Sequence, residues 1–121
     1  GIMCSYNAIS IAGAPALADN TPTCASNWLL NDLARGEWGF YGYITGDCGA
    51  AGNVFATHDF TKTPEEAAAL EIKSGMDVDC GDFVSQKLGG ALAKGLVSEK
   101  EIDKALEHLF SIRMRLGFFD P

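Results

Sequence analysis

The chain has 121 residues, 47% of them hydrophobic, and a formal net charge of −7. That length suits one small domain or a piece of a larger one, and the apolar fraction is enough to form a core. The acidic balance excludes the basic face that nucleic-acid backbones and anionic membranes require, and no apolar run is long enough to span a bilayer.

In chain order, the run from Ile2 to Tyr6 is short, apolar and strand-like. The chain opens "GIMCSYN", with no initiator Met and no signal-peptide pattern, so it reads as an interior segment of a longer protein. A loop rich in Gly, Pro, Asp and Thr follows, from Ile11 to Thr23. Ser26 can cap a helix from about Asn27 to Arg35, with Trp28, Leu29, Leu30 and Leu33 for its buried face and Gly36 to end it. Trp28 and Trp38 both read as packing residues.

A second strand is predicted from Gly42 to Thr45, then a long loop from Asp47 to Thr63. "TPEE" opens the next helix, with Thr63 as N-cap, Pro64 in its first turn and Glu66 closing a capping box. That helix runs to about Ser74 and stops at Gly75. "MDVD", from Met76 to Asp79, is the third strand. A helix from about Phe83 to Lys94 follows, weakened by Gly89 and Gly90. Ser98 and Glu101 form a second capping box, and Ile102, Ala105, Leu106, Leu109, Ile112 and Leu116 then recur at helical spacing up to Gly117.

Alternation of strand and helix is the signature of parallel βα units. A doubly wound sheet and a (β/α)8 barrel both fit. No G-x-G-x-x-G or P-loop opens a helix, which weighs against nucleotide-binding versions. A full barrel takes roughly 250 residues, so three units are under half of one.

The cysteines are Cys4, Cys24, Cys48 and Cys80, with no C-x-x-C pair and neither His58 nor His108 at ligand spacing. No metal and no cofactor is expected. Two disulfides or four buried thiols both fit, and all three disulfide pairings stay open on spacing alone.

In parallel α/β architectures functional groups gather at the carboxyl ends of strands. Those ends give three clusters: Ser5, Tyr6 and Asn7; Asp47 with Cys48; and Asp77, Asp79, Cys80 and Asp82. They suit a polar, hydroxyl-rich ligand. On spacing alone Asp47 reads equally as a turn residue or a catalytic acid. Tyr6 reads as a half-buried core tyrosine, His58 as solvent-facing, and Glu65 and Glu66 as helix-start acids favoured by the dipole.

Taken together, "MCSY", "EWGFYGY", "GYITGDCG", "KTPEEAAALEIKSG" and "MDVDCGDF" resemble glycoside hydrolase family 3, and within it the β-xylosidase branch. The likeness covers essentially the whole chain, ending at "SIRMRLGFFDP". It implies that residues 1–121 are a partial N-terminal catalytic domain, an α/β segment forming the C-terminal part (about three βα units) of a (β/α)8 TIM-type barrel. By the same likeness Asp47 ends the seventh strand and matches the catalytic nucleophile, which forms a covalent glycosyl-enzyme in a retaining reaction. Tyr6 matches a tyrosine whose hydroxyl orients that carboxylate, and Met3 a residue beside the sugar subsite. Met3 and Tyr6 have opposite parity, so both reach the site only if the strand ends near Ser5.

The family likeness also implies the pairs Cys48–Cys80 and Cys4–Cys24, and with them a secreted, extracellular enzyme. The expected function is exo-acting hydrolysis of terminal β-linked xylose, with an oligosaccharide or aryl glycoside as substrate. The general acid/base would come from a domain beyond Pro121, and sugar-clamping residues from earlier strands, so the fragment alone is expected to be inactive. Two departures stand out. The family usually places serine before the nucleophile, where Gly46 stands here, and the loop "ISIAGAPALADNTPTC" is longer than the usual Asn-Gly-containing turn. Other readings are a β-glucosidase or α-arabinofuranosidase of the same family, and a non-catalytic carbohydrate-binding or structural homologue. An unrelated barrel lyase or aldolase is disfavoured because no predicted strand carries the lysine that Schiff-base chemistry uses.

Overall fold

A computed structural model describes residues 1–13 and 20–121 of the chain. The central part of the long loop read between Ile11 and Thr23 lies outside the described residues. The architecture is α/β. Strand β1 (Ile2–Cys4) is followed by β2 (Ala8–Ile9), β3 (Thr21–Pro22), a 3₁₀ turn (Thr23–Ala25) and a π-helix (Trp28–Glu37). Then come β4 (Ile44–Gly46), α1 (Ala50–Ala56), α2 (Pro64–Ser74), α3 (Phe83–Ala93) and α4 (Glu99–Arg115).

β1 and β4 pair in parallel, with Ile2 opposite Ile44, Met3 opposite Thr45 and Cys4 opposite Gly46. The third row is thinner than "MDVD" predicts. It is a single parallel bridge between Thr45 and Val78, held by Gly46 N–H to Val78 O at 2.9 Å and by Asp77 and Val78 N–H groups on Ile44 O. β4 is therefore the middle row of three. Ile44, Gly46 and Cys4 are buried beneath the helices, whereas Met3 is 56% exposed and Thr45 half-buried. Strand alternation thus gives the sheet a covered face and an open one.

Several elements depart from the sequence reading. α1 falls where a loop is expected: glycine at positions 49 and 52 masks a turn-forming pattern, but Ala50, Ala51 and Val54 are buried and packing decides the outcome. Gly49 stands before it in the left-handed region at φ 86°, open to glycine without steric cost. β2, just before the predicted loop, and β3, within the end of that loop, form a small antiparallel ladder, Ala8 with Pro22 and Ile9 with Thr21. The helix expected to stop at Gly36 runs to Glu37 because it is wound as a π-helix, with Trp38 N–H on Leu33 O at 2.9 Å. Ser26 still supplies its cap, the hydroxyl accepting from Leu29 N–H at 3.3 Å. Trp38 is 65% exposed and does not pack.

Both predicted capping boxes are present, Thr63 with Glu66 and Ser98 with Glu101. The main core joins Cys4, Leu30, Ile44, Ala51, Met76 and Val84 between the strands and the helices. A smaller cluster of Ala25, Val54 and Ala67 seats α2 on the 3₁₀ turn and α1. In α4 only Ala105 is fully buried; Ile102, Leu109 and Ile112 are half-buried, and Leu106 and Leu116 are exposed.

Candidate active site

Asp47 sits immediately beyond β4. Its N–H reaches Cys4 O at 2.9 Å, and its carbonyl takes Ala50 N–H at 2.8 Å, so the residue links the sheet to the start of α1. By strand parity Asp47 lies on the open face with Met3 and Thr45. Its carboxylate is half-buried. Oδ1 accepts the Cys48 N–H at 2.7 Å, and Oδ2 has no hydrogen-bonding partner among the described residues. One oxygen is held and the other is free.

The turn that carries Asp47 is tied from three sides. Cys48 is bonded to Cys80, with Cα atoms 4.3 Å apart. Gly49 N–H donates to Cys80 O at 2.9 Å. The Tyr6 hydroxyl donates to Cys48 O, so it holds the turn's backbone and not the carboxylate itself. β1 ends at Cys4, which meets the condition for Met3 and Tyr6 to share one side, and both are exposed, at 56% and 46%. His58 is not free in its loop: its Nε2 lies 2.7 Å from Tyr6 O. Ser5 and Asn7 bond each other, Oγ to Oδ1 at 2.6 Å.

Beneath the turn, Gly46 lets β4 come close to sulfur. A Cβ there would lie 3.2 Å from Met76 Sδ and 3.9 Å from Cys24 Sγ. Cys24 is bonded to Cys4, so the second disulfide clamps β1 under the same strand end. Both pairings match those expected from the family likeness. The disulfides close loops of 20 and 32 residues, each contributing about 3–4 kcal/mol in the chain-entropy account. Replacing Cys48 and Cys80 together by serine is expected to lower the unfolding free energy by about that amount, read from the midpoint of denaturant unfolding. A midpoint unchanged from that of the parent chain would show that the bond constrains nothing.

The third cluster read from the sequence is split by the fold. Asp79 and Cys80 belong to the Asp47 end, where Asp79 Oδ2 accepts Val84 N–H at 3.0 Å. Asp77 belongs to the opposite end of the row. Its carboxylate, 2% exposed, takes Arg35 Nη2 at 2.5 Å, Ile44 N–H at 2.7 Å and His108 Nδ1 at 2.8 Å. Asp82 lies before α3, its Oδ2 on Gln86 Nε2 at 2.5 Å.

Sequence reasoning passed over Glu71. It is fully buried on α2, and neither carboxyl oxygen has a hydrogen-bond partner among the described residues. Burial, with a smaller push from the Asp79 charge, raises its pKa to about 9. The signal was available: Ala67, Ala68 and Ser74 stand three or four residues away on the same helical stripe, so the acid falls on an inward face.

This arrangement, an acid at the carboxyl end of a middle parallel row with its turn bolted to the next row, agrees with a match to the family described as "Glycosyl hydrolase family 3 N terminal domain", over residues 5–112. The chain belongs to that family. It is 44% identical over 119 residues to "Beta-xylosidase/alpha-L-arabinofuranosidase 1" of Medicago sativa subsp. varia, covering 98% of this chain and 14% of that protein. Among solved structures it is similar to a GH3 exo-beta-xylosidase (XlnD) in complex with a xylobiose aziridine activity-based probe, at 35% identity and a TM-score of 0.77 over 82% of this chain and 13% of that one. It is also similar to the beta-glucosidase from Listeria innocua, at 30% identity and a TM-score of 0.76 over 83% of this chain and 14% of that one. The chain therefore spans about 14% of the length of the curated relative described above.

Proposed function

We propose that residues 1–121 are part of the N-terminal catalytic domain of a larger, secreted, retaining exo-β-glycosidase, with terminal β-linked xylose as its preferred sugar. In this reading the three parallel rows are the last βα units of a (β/α)8 barrel, and Asp47 is the nucleophile. The observation that carries it is the state of Asp47: at a strand's carboxyl end, on the open face with Met3, its turn fixed by Tyr6 and Cys80, and Oδ2 unpartnered. The xylosidase relatives support the sugar, and the two disulfides support an oxidising compartment.

The chemistry follows from the carboxylate. The free oxygen attacks the anomeric carbon as its bond to the departing oxygen breaks, and that oxygen takes a proton from a general acid. A glycosyl ester on Asp47 results. Water then attacks the same carbon, gives up a proton to the conjugate base, and releases Asp47 with net retention. The hydrogen bond from Cys48 N–H keeps Oδ1 turned away, so the attacking oxygen is defined before substrate arrives. The general acid is not assigned to Glu37, Asp79 or any other residue of this segment. Tyr6 holds the Cys48 peptide and so sets the turn's height, while Met3 offers an apolar surface to the sugar ring.

Labelling with 2-fluoroxyloside tests the reading. In the proposed longer enzyme, the fluorosugar mass is expected on the peptide containing Asp47; its appearance on a peptide lacking that residue would overturn the assignment. The competing sugar is glucose, favoured by the similarity to the Listeria innocua beta-glucosidase. Faster labelling by 2-fluoroglucoside than by 2-fluoroxyloside would decide for it.

A further inference from the structure

Residues 5–7 lie between β1 and β2, outside either strand. The Tyr6 carbonyl takes its donor from a side chain 52 residues away, with His58 Nε2 at 2.7 Å. A carbonyl oxygen can only accept, so Nε2 carries the proton and His58 donates. The ring is delivered by the end of α1. His58 N–H closes on Asn53 O at 2.8 Å, and Phe60 N–H on Val54 O at 3.0 Å. Between them Asp59 stands in the left-handed region at φ 51°, which turns the chain off the helix. α1 begins where Ala50 N–H meets Asp47 O. One short helix therefore has the acid at its head and His58 just past its foot.

We infer that His58 is a positioning residue for Asp47, acting through Tyr6. The links run in one line. His58 holds the Tyr6 backbone, the Tyr6 hydroxyl donates to Cys48 O, and Cys48 N–H donates to Asp47 Oδ1 at 2.7 Å. Tyr6 is thus gripped at both ends, its main chain by His58 and its phenol by the turn. The grip matters because Tyr6 is 46% exposed, so little packing fixes it. With the imidazole gone, the segment between β1 and β2 is free to shift, and the phenol holds the Cys48 peptide less firmly. Oδ1 is then less well held, and the aim of Oδ2 is lost with it. A displacement of about 1 Å at a reacting group costs about 100-fold in rate. The bond to Cys80 holds Cys48 from the other side, so the loss is one of aim and not of the turn itself. The catalytic meaning of this role rests on Asp47 being the nucleophile; the line of contacts does not.

Nitrogen-15 spectroscopy of the 121-residue chain tests the first link without a variant. With the ring neutral, His58 is expected to carry its proton on Nε2; a proton on Nδ1 with Nε2 bare overturns the inference. His58→Ala is expected to shift the Cys48 amide signal, and His58→Gln, whose side-chain N–H has a similar reach to Nε2, to restore it. In a Tyr6→Phe background the hydroxyl link is already cut, so His58→Ala should no longer move Cys48. A Cys48 amide that stays still in the alanine variant overturns the inference. So does a glutamine variant that behaves like alanine, or an equal shift in the Tyr6→Phe background. In the longer enzyme, fluoroxyloside labelling of His58→Ala should saturate at the parent's concentration but run about 10- to 100-fold slower, and His58→Gln should recover most of the rate. A change confined to the saturating concentration overturns the positioning role. A label found away from Asp47 sinks the nucleophile reading alone, because the nitrogen-15 and amide signals do not depend on catalysis.

Discussion

Asp47→Ala in the proposed longer glycosidase is expected to reduce turnover by about 10³–10⁵-fold, or roughly 4–7 kcal/mol of transition-state stabilisation. Folding should be little changed. Among the described residues the Asp47 side chain makes one hydrogen bond, from Cys48 N–H, and half-burial leaves water able to replace it, so the stability loss should be about 1 kcal/mol. The variant has a second, more diagnostic behaviour. Removing the carboxylate leaves a space on one face of the anomeric carbon, where a small anion such as azide fits. Azide is expected to restore release of an activated leaving group and to yield a glycosyl azide of inverted configuration. Turnover within tenfold of the parent, or azide rescue with retained configuration, would rule out Asp47 as the attacking group.

The largest stability effect is expected at the other end of the same row. Asp77→Ala should destabilise the chain by about 3–5 kcal/mol, because a buried guanidinium loses its counter-charge and Ile44 N–H loses its acceptor. Arg35 cannot escape to water at small cost. Its side chain is 11% exposed, and its other bonds go to Gly42 O and Gly75 O on two separate segments. Asp77→Asn keeps the shape and an acceptor, so it should cost less than the alanine. The double variant Arg35→Met with Asp77→Leu should recover much of the loss, since apolar groups of similar volume remove the charges together. Urea unfolding of the three variants gives the order; equal midpoints for Asp77→Ala and the parent would show that the pair contributes nothing. His108 adds a reading specific to this fold. It brings α4 onto Asp77, so the alanine variant should also loosen α4, visible as faster amide exchange in that helix.

The elements with strong local chemistry were legible in the sequence. "TPEE" and "SEKE" name their capping boxes outright, and both form as written. The run "GYITGD" announces a strand that ends in an acid, and the fold sets that acid beside Cys48 and Cys80. What stayed hidden depended on distant contacts. α1 contains two weak positions, glycine and asparagine, and exists because Ala51 and Val54 fill space between other elements. The π-wound helix passes Gly36 because its bonds reach back one residue further than an α-helix's, a choice that no local pattern encodes. Asp77 and Asp79 alternate on one strand and read as one cluster. Only the arrival of Arg35 and His108 on one, and of Val84 on the other, separates a structural anchor from a group at the site. Glu71 was hidden for the opposite reason: a glutamate in an alanine-rich helix looks like an exposed solubilising residue until its stripe is traced.

The two disulfides close loops that follow one another without overlapping, Cys4 to Cys24 and then Cys48 to Cys80. For a chain entering an oxidising compartment from its amino end, this order has a consequence for assembly. At a synthesis rate of about 5–20 residues per second, Cys24 follows Cys4 by a few seconds, and the first pair can close before Cys48 has emerged. Cys48 then finds neither Cys4 nor Cys24 free, and among these four cysteines its remaining partner is Cys80. Of the three possible pairings, only this one can be reached by joining each new cysteine to the last one left open. Among these four cysteines, the covalent frame around the acid thus follows the order of arrival, each pair closing between neighbours in sequence.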